Sequence, residues 1–389
     1  MLLRRVTVRR EWDADRLLAL LASQSPAEKA RLGAAQADVA NAEYRKAETE
    51  LHAMIDANPR TYATVGPVLA QDLREQGRMR EAARAYARVP TGPAWGHPDA
   101  SQRKLGLDLV WETDPQAGAD ARLVSDSDSR DSFEAVATGR YPLKAPVDLS
   151  GAVGSARFTD SLYPTLSGVQ ATIGADWVGG KRLRAGGWLR GRALGSGVDT
   201  LEGLATLRGA FDGHRFAAAC GVTDVETVGA LLDGIMRRGC EAAYDAFGRN
   251  WRSRARLAYG DLTDGNAIVY GWGDGTVDLA RVRHLAVGGR LELGNSRETS
   301  PLYYAPTGLV TALGIVRYAH TFQTKASLDV EAGIGPSRDD QGPTRIVGRA
   351  HVAWTQNWSD HWRTTLLGDF GETPDYRRVG LAFSFGYRF

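Results

Sequence analysis

The chain ends in Arg378-Val-Gly-Leu-Ala-Phe-Ser-Phe-Gly-Tyr-Arg-Phe389, twelve residues that alternate without a break. Val379, Leu381, Phe383, Phe385, Tyr387 and Phe389 fall on one side; Arg378, Gly380, Ala382, Ser384, Gly386 and Arg388 fall on the other. A period of two is that of a β-strand, and here the two sides ask for different solvents. A sandwich strand also alternates, but rarely sets this aromatic weight against a face that is only small or cationic. The pattern suits a strand with lipid outside and water inside, and it predicts that the preceding chain repeats it.

Composition agrees with that reading. Among 389 residues, the 10 Trp and 13 Tyr suit interfacial belts, and 45 Gly suit many turns. No apolar run reaches the ~18 residues that a spanning helix needs, whereas a barrel exposes only every second residue to lipid. The 48 basic and 46 acidic residues nearly balance, and no basic block points to nucleic acid. Cys220 and Cys240 lie symmetrically about Gly229-Ala230-Leu231, so a hairpin turn there sets them face to face. Two readings follow: a cross-strand disulfide in an oxidising compartment, or two small apolar residues facing lipid. Met1 to Arg10 is basic without an apolar core, so no signal peptide is read; a fragment, a mature form or a mis-started gene is expected.

From about Trp12 to Arg88 the chain is rich in Ala, Glu, Arg and Leu and poor in β-branched residues, which predicts helices. Ala47, Leu51 and Met54 recur thirty-five residues later as Ala82, Tyr86 and Val89. Gly77-Arg-Met-Arg-Glu-Ala-Ala-Arg-Ala-Tyr86 supplies a turn glycine, a small residue for a close helix crossing and an aromatic one turn on. This spacing resembles the tetratricopeptide repeat, whose two-helix units stack because none buries its apolar face alone. Residues 1–89 are therefore read as tetratricopeptide-like repeats, truncated at the N-terminus, and 90–101, opening on Pro90-Thr-Gly-Pro-Ala-Trp-Gly-His-Pro98, as a linker.

The remainder, 102–389, is read as the barrel. Apolar rows include Leu105, Leu107, Leu109 and Trp111; Phe133, Ala135, Ala137 and Tyr141; Val169, Ile173 and Trp177; Leu201, Leu207 and Phe211; and Trp362, Leu366 and Phe370. Turn clusters such as Gly195-Ser-Gly-Val-Asp199, Asp264-Gly-Asn266, Gly273-Asp-Gly-Thr276 and Asn357-Trp-Ser-Asp360 separate such rows. The fold expected is a short helical-repeat head followed by a transmembrane antiparallel β-barrel of about 16 strands. It must close, because an open edge in hydrocarbon leaves backbone groups unpaired.

The opposite parity is charged. Arg182, Arg184, Arg190 and Arg192 share one strand and Arg252, Arg254 and Arg256 another, with Arg208, Arg290, Arg345, Arg349 and Arg378 elsewhere. Asp108, Glu134, Asp148, Asp176, Glu202, Glu241, Asp245, Glu292, Asp329, Glu331 and Asp369 are the acids at the same parity. A charge on the lipid side costs about 2–4 kcal/mol near the midplane, so these side chains point inward. Either the lumen is an open, arginine-walled channel for anionic or hydroxyl-rich solutes, or opposite charges pair across it. The channel is favoured because the basic residues cluster on two strands and are not expected all to find adjacent acids. The seven histidines, including His284, His320, His351 and His361, show no zinc spacing, and no nucleophile elbow occurs. No enzyme activity, cofactor or metal is expected.

Helical repeats, a linker and then a barrel ending in Phe389 resemble, in that order, the outer-membrane export porins for bacterial exopolysaccharides of the poly-N-acetylglucosamine and cellulose type. Ser300-Pro-Leu-Tyr-Tyr-Ala-Pro306 is similar to the Tyr-aromatic-x-Pro stretch before a late strand in such barrels, and the last strand resembles the signal read by the outer-membrane barrel-assembly machinery. The resemblance implies outer-membrane lipid around the barrel, the head in the periplasm, and a polysaccharide chain passing the seven arginines from 182 to 256. It also implies periplasmic synthase or modifying proteins as partners. The alternative is a non-transporting surface receptor, for phage adsorption or adhesion, with a plugged barrel; the shortness of the longest external loops, Asn295 to Pro306 and Gly335 to Thr344, favours the pore.

Overall fold

A computed structural model describes residues 26–389 except 91–99, 144–145, 179–182, 212, 249, 281, 283, 323–325 and 341. The readings of Trp12 to Gln24, of most of the proline-rich linker and of Arg182 fall outside the described residues. The helices up to Thr113 and the barrel from Asp114 form two compact units.

Among the described residues the first unit holds five α-helices: α1 Pro26–Ala40, α2 Tyr44–Ala57, α3 Tyr62–Glu75, α4 Met79–Ala87 and α5 Ala100–Thr113. Each packs on the next around Ala47, Leu51, Val65, Leu69, Leu73, Ala82 and Leu109. Gly77 turns the chain between α3 and α4 at φ +77°, a left-handed conformation that a side chain would strain. Where Ala82 and Tyr86 were read as crossing residues, Ala82 is buried and the Tyr86 ring fills the space that a Cβ on Gly106 would need.

One expectation is corrected here. Leu105, Leu107, Leu109 and Trp111 belong to α5 and not to a strand, and Asp108 is accordingly not a lumen residue. Among the described positions of α5 the buried ones are 105, 106, 108, 109 and 111, a helical period that the alternate leucines disguise. Asp108 and Glu112, one turn apart, both face Arg74 at 3.4 Å.

The second unit is a closed antiparallel barrel of sixteen strands, from β1 Gln116–Asp126 to β16 Arg377–Arg388, each paired with its sequence neighbours. The quoted C-terminal strand closes it. Gln116 to Asp126 pairs residue by residue with Arg388 to Arg378, setting Ala117, Ala119 and Ala121 opposite Tyr387, Phe385 and Phe383. Small side chains beside large ones keep that outer seam filled. Outward rows are exposed as expected, with Val169, Ile173, Leu201, Ile334 and Ile346 each more than 60% accessible. In water such a surface would be an aggregation site; in a bilayer it is the lipid contact. Outward aromatics gather where the chain enters β1 and leaves β16: Tyr141, Trp177, Phe211, Trp251, Phe322 and Trp362. Among the described residues no helix is long and apolar enough to cross a membrane.

Gly273-Asp-Gly-Thr276, read as a turn, lies inside β10 Ala267–Asp278. Its acid is held from both sides by arginines of β9 Trp251–Leu262 and β11 Leu285–Ser296, and no Cβ fits on Gly288 beside the Gly275 carbonyl. Cys220 of β7 His214–Asp224 stands directly opposite Cys240 of β8 Met236–Phe247, and the two are bonded. Alkylation of unreduced, unfolded protein is expected to find neither thiol, and reduction to release both. The Cys220→Ser, Cys240→Ser double variant should still assemble a heat-modifiable barrel, since the hairpin ladder does not depend on the bond; loss of the barrel would show otherwise.

Candidate functional site: a charged, partly hollow lumen

Inward positions on adjacent strands meet in register, and this decides the ion pairs. Arg190 of β5 Leu183–Leu194 lies opposite Glu202 of β6 Val198–Phe211, and its guanidinium grips both carboxylate oxygens at 2.8 Å. Arg192, whose side chain is wholly buried, binds Asp224 at 2.5 Å, Glu134 at 2.5 Å, Glu226 at 2.9 Å and the Gln170 amide oxygen at 3.1 Å. It also lies over the Phe158 ring, and Arg190 over Trp188.

A second cluster forms on the other side of the wall. Arg254 holds Asp274 at 2.5 Å and Glu331 at 2.6 Å. Arg290 binds the same two carboxylates, and Arg317 reaches Glu331 at 3.1 Å. Trp272 carries the Arg254 and Arg290 guanidinium groups on its ring. Beside it Arg349 pairs with Glu292, which also accepts from the Tyr270 hydroxyl. Arg252 pairs with Asp245 at 2.6 Å and Arg256 with Glu241 at 2.5 Å.

The expectation that these arginines lack acids is therefore corrected: Arg190, Arg192, Arg252, Arg254 and Arg256 all have them. Some partners stand on the neighbouring strand, and others come from farther. Glu134 on β2 Asp131–Pro142 serves Arg192 on β5, and Glu331 on β13 Ala326–Arg338 serves Arg254 on β9, because the inward curve of the wall shortens these chords. Arg184 shares the inward parity of Arg190 and Arg192.

Two spaces remain between the clusters. The larger, about 710 Å³, is lined by Arg122, Arg237, Arg256, Arg290, Arg349 and Arg378 against only three carboxylates, Glu241, Glu331 and Asp369, with Tyr270, Tyr304 and Tyr376 between them. The smaller, about 510 Å³, is lined by Arg130 and Arg190 and by five carboxylates, Asp126, Asp131, Glu202, Asp224 and Glu226. Arg237, Arg378, Tyr304 and Tyr376 line both. Of the six described arginines among those singled out from sequence, only Arg256 borders the larger space and only Arg190 the smaller. Arg122 and Arg237 were missed, although each has the inward parity of its strand.

The mouth opposite the start of β1 and the end of β16 is covered by the barrel's own loops. After β7 the chain makes a short helix, α6 Val228–Leu232, whose Val228 and Leu231 are buried against Phe158, Leu166 and Leu194. Residues 297–308 fold in beside it, and the Thr227 hydroxyl donates to the Leu302 carbonyl at 2.6 Å. The Tyr303 hydroxyl donates to Asp264 at 2.6 Å, and Arg130 from the β1–β2 turn donates to the Pro301 carbonyl at 2.6 Å. The Tyr304 ring stacks on Tyr376, centroids 4.4 Å apart. Burial and the Asp126 carboxylate push the Tyr376 hydroxyl above the usual phenol range, so it remains a donor to that acid. The expected short loops at Asn295 to Pro306 and Gly335 to Thr344 are in part strand, since β11 runs to Ser296 and β13 to Arg338.

His351 meets Asp369 at 2.6 Å in the larger space, while His320 and His361 sit among outer aromatic rings. Among the described residues no group of three or more His, Cys, Asp or Glu is arranged to hold a metal ion.

The chain matches no protein-family model and no curated protein. Among solved structures it is similar to a bacterial polysaccharide outer membrane secretin, with a TM-score of 0.57 and 12% identity over 71% of this chain and 98% of that one. Lower scores are found with CdiB from Acinetobacter baumannii, 0.43 at 8% identity over 71% and 60% of the two chains, and with the translocator domain of the autotransporter NalP from Neisseria meningitidis, 0.34 at 12% over 75% and 95%. The fold is that of outer-membrane β-barrels preceded by a helical region.

Proposed function

We propose that the protein is an outer-membrane channel that passes an exopolysaccharide from the periplasm to the cell surface. The observation that carries this reading is the hollow of about 710 Å³ inside a sixteen-stranded barrel, walled by arginines and tyrosines. Guanidinium forks and phenol hydroxyls present donors to sugar oxygens, and flat rings offer a surface for the C–H faces of a pyranose. The name of the similar secretin supports the same class of cargo. In this reading the helices act in the periplasm as tetratricopeptide-type units that bind the polymer or its synthase and modifying proteins. The barrel-assembly machinery receives the strand ending at Phe389, and α6 with the 297–308 loop is the outer gate. Many weak contacts suit conduction better than one tight site, because release is needed as much as capture.

The first test is single-channel recording of refolded, heat-modifiable protein in a planar bilayer. Brief openings with a preference for anions are expected, because the larger space holds more arginines than carboxylates. A second reading, a receptor with a plugged barrel, is favoured by the buried contacts of α6. It takes over if neither this protein nor a variant without α6 conducts.

A further inference from the structure

We propose that the junction of the two inner spaces is a binding site for an anionic sugar, so that the polymer bears carboxylate or other acidic groups; this rests on the channel reading and specifies its cargo. In the larger space Glu331 is neutralised by three arginines and Glu241 by Arg256, and Asp369 is hydrogen-bonded to His351 at 2.6 Å. Among the described residues, Arg237 and Arg378 have no carboxylate within 4 Å, and both line the two spaces where they meet. Arg122 lies 3.6 Å from Glu226, a carboxylate already held by Arg190 and Arg192.

The surroundings suit a sugar ring as well as its charge. Arg237 lies against Gly260, where a Cβ would come within 2.4 Å of its Nε. The stacked rings of Tyr304 and Tyr376 form a flat wall of the same junction. Two guanidinium groups with no carboxylate in salt-bridge reach, beside an aromatic platform whose Tyr376 hydroxyl is taken up by Asp126, match a pyranose that carries an anionic group, since each guanidinium can take two oxygens of that group in its plane. In the two clusters that hold the wall together the arginines already sit on carboxylates and offer no comparable capacity.

The test is isothermal titration of the refolded full chain with tetragalacturonate and with uncharged maltotetraose, together with the bilayer recording described above. Tetragalacturonate is expected to bind, more weakly as salt rises, and maltotetraose not measurably. The Arg237→Gln, Arg378→Gln double variant should lose about tenfold or more of that affinity. Arg377→Gln, which removes only an exposed pair with Glu372, should change nothing. If the double variant does not give a heat-modifiable barrel, the two single variants are read separately, and each should weaken binding. Equal binding of the two sugars, or affinity unmoved by the substitutions, overturns the proposal. A sulfated oligosaccharide bound without tetragalacturonate would move the acidic group from carboxylate to sulfate and overturn only a carboxylate-bearing cargo. Conduction without uronate binding leaves the channel and removes the acidic cargo; uronate binding without conduction in any variant does the reverse.

Discussion

Leu231→Asp is expected to turn brief openings into a long-lived open state. Leu231 is 3% exposed and packs with Val228 against Phe158, Leu166 and Leu194, so the substitution removes an apolar contact and asks a carboxylate to sit where water is absent. A buried, unpartnered carboxylate and a lost leucine contact together cost about 4 kcal/mol, which multiplies the ratio of open to closed gate roughly a thousandfold. The barrel wall is untouched, so heat-modifiability should persist. Single-channel dwell times read the result, and a barrel that stays as closed as the parent would remove α6 from the gate.

Acid should act on the same gate through Glu226. Burial pushes its carboxyl up, but the Arg192 guanidinium, with Arg122 and Arg190, more than offsets this and holds it below the usual carboxylate range. A group whose pKa is lowered in the closed state stabilises that state fully above its free value. The contribution is lost as pH falls through the lowered one. Openings should therefore lengthen as pH falls below the usual carboxylate range, and Glu226→Gln should reproduce the acid behaviour at neutral pH.

The barrel was legible in the sequence because lipid imposes a strict rule: every second residue from Phe133 to Phe389 either meets hydrocarbon or does not. Strand number, closure and the outward rows followed from that rule. The pairing of Cys220 with Cys240 was left open, since symmetry about a turn fixes register but not bond formation. The row from Leu105 to Trp111 misled because leucines at alternate positions also recur four apart, and only the surrounding α4 and Gly106 decide between the periods. The lumen was legible in sign but not in partnership. Arg192 finds Glu134 three strands away, and Arg254 finds Glu331 four strands away. Such chords depend on wall curvature, which no local spacing encodes. The inward fold of residues 225–235 was equally hidden, because a short apolar loop reads as a turn until the pocket formed by Phe158 and Leu166 is known.

Arg192→Met should destabilise the barrel more than loss of any other lumen arginine named from sequence. Its side chain is 0% exposed and stands between Glu134, Asp224 and Glu226, with Glu202 at 3.5 Å. Removing one cation leaves several carboxylates facing one another away from bulk water, and breaking a buried pair from one side costs about 3–5 kcal/mol. Arg256→Met, which breaks a pair whose two side chains are 48% and 40% exposed, should cost no more than about 1 kcal/mol, because solvent screens that pair. Urea midpoints of heat-modifiable protein in matched detergent measure both. Adding Glu134→Gln and Asp224→Asn to Arg192→Met should recover most of the loss, since the repulsion that the cation relieved is then gone. Equal shifts for the Arg192 and Arg256 variants would mean that strand pairing alone sets the barrel's stability, and that the buried charges instead serve to seat Glu226 and hold the gate shut.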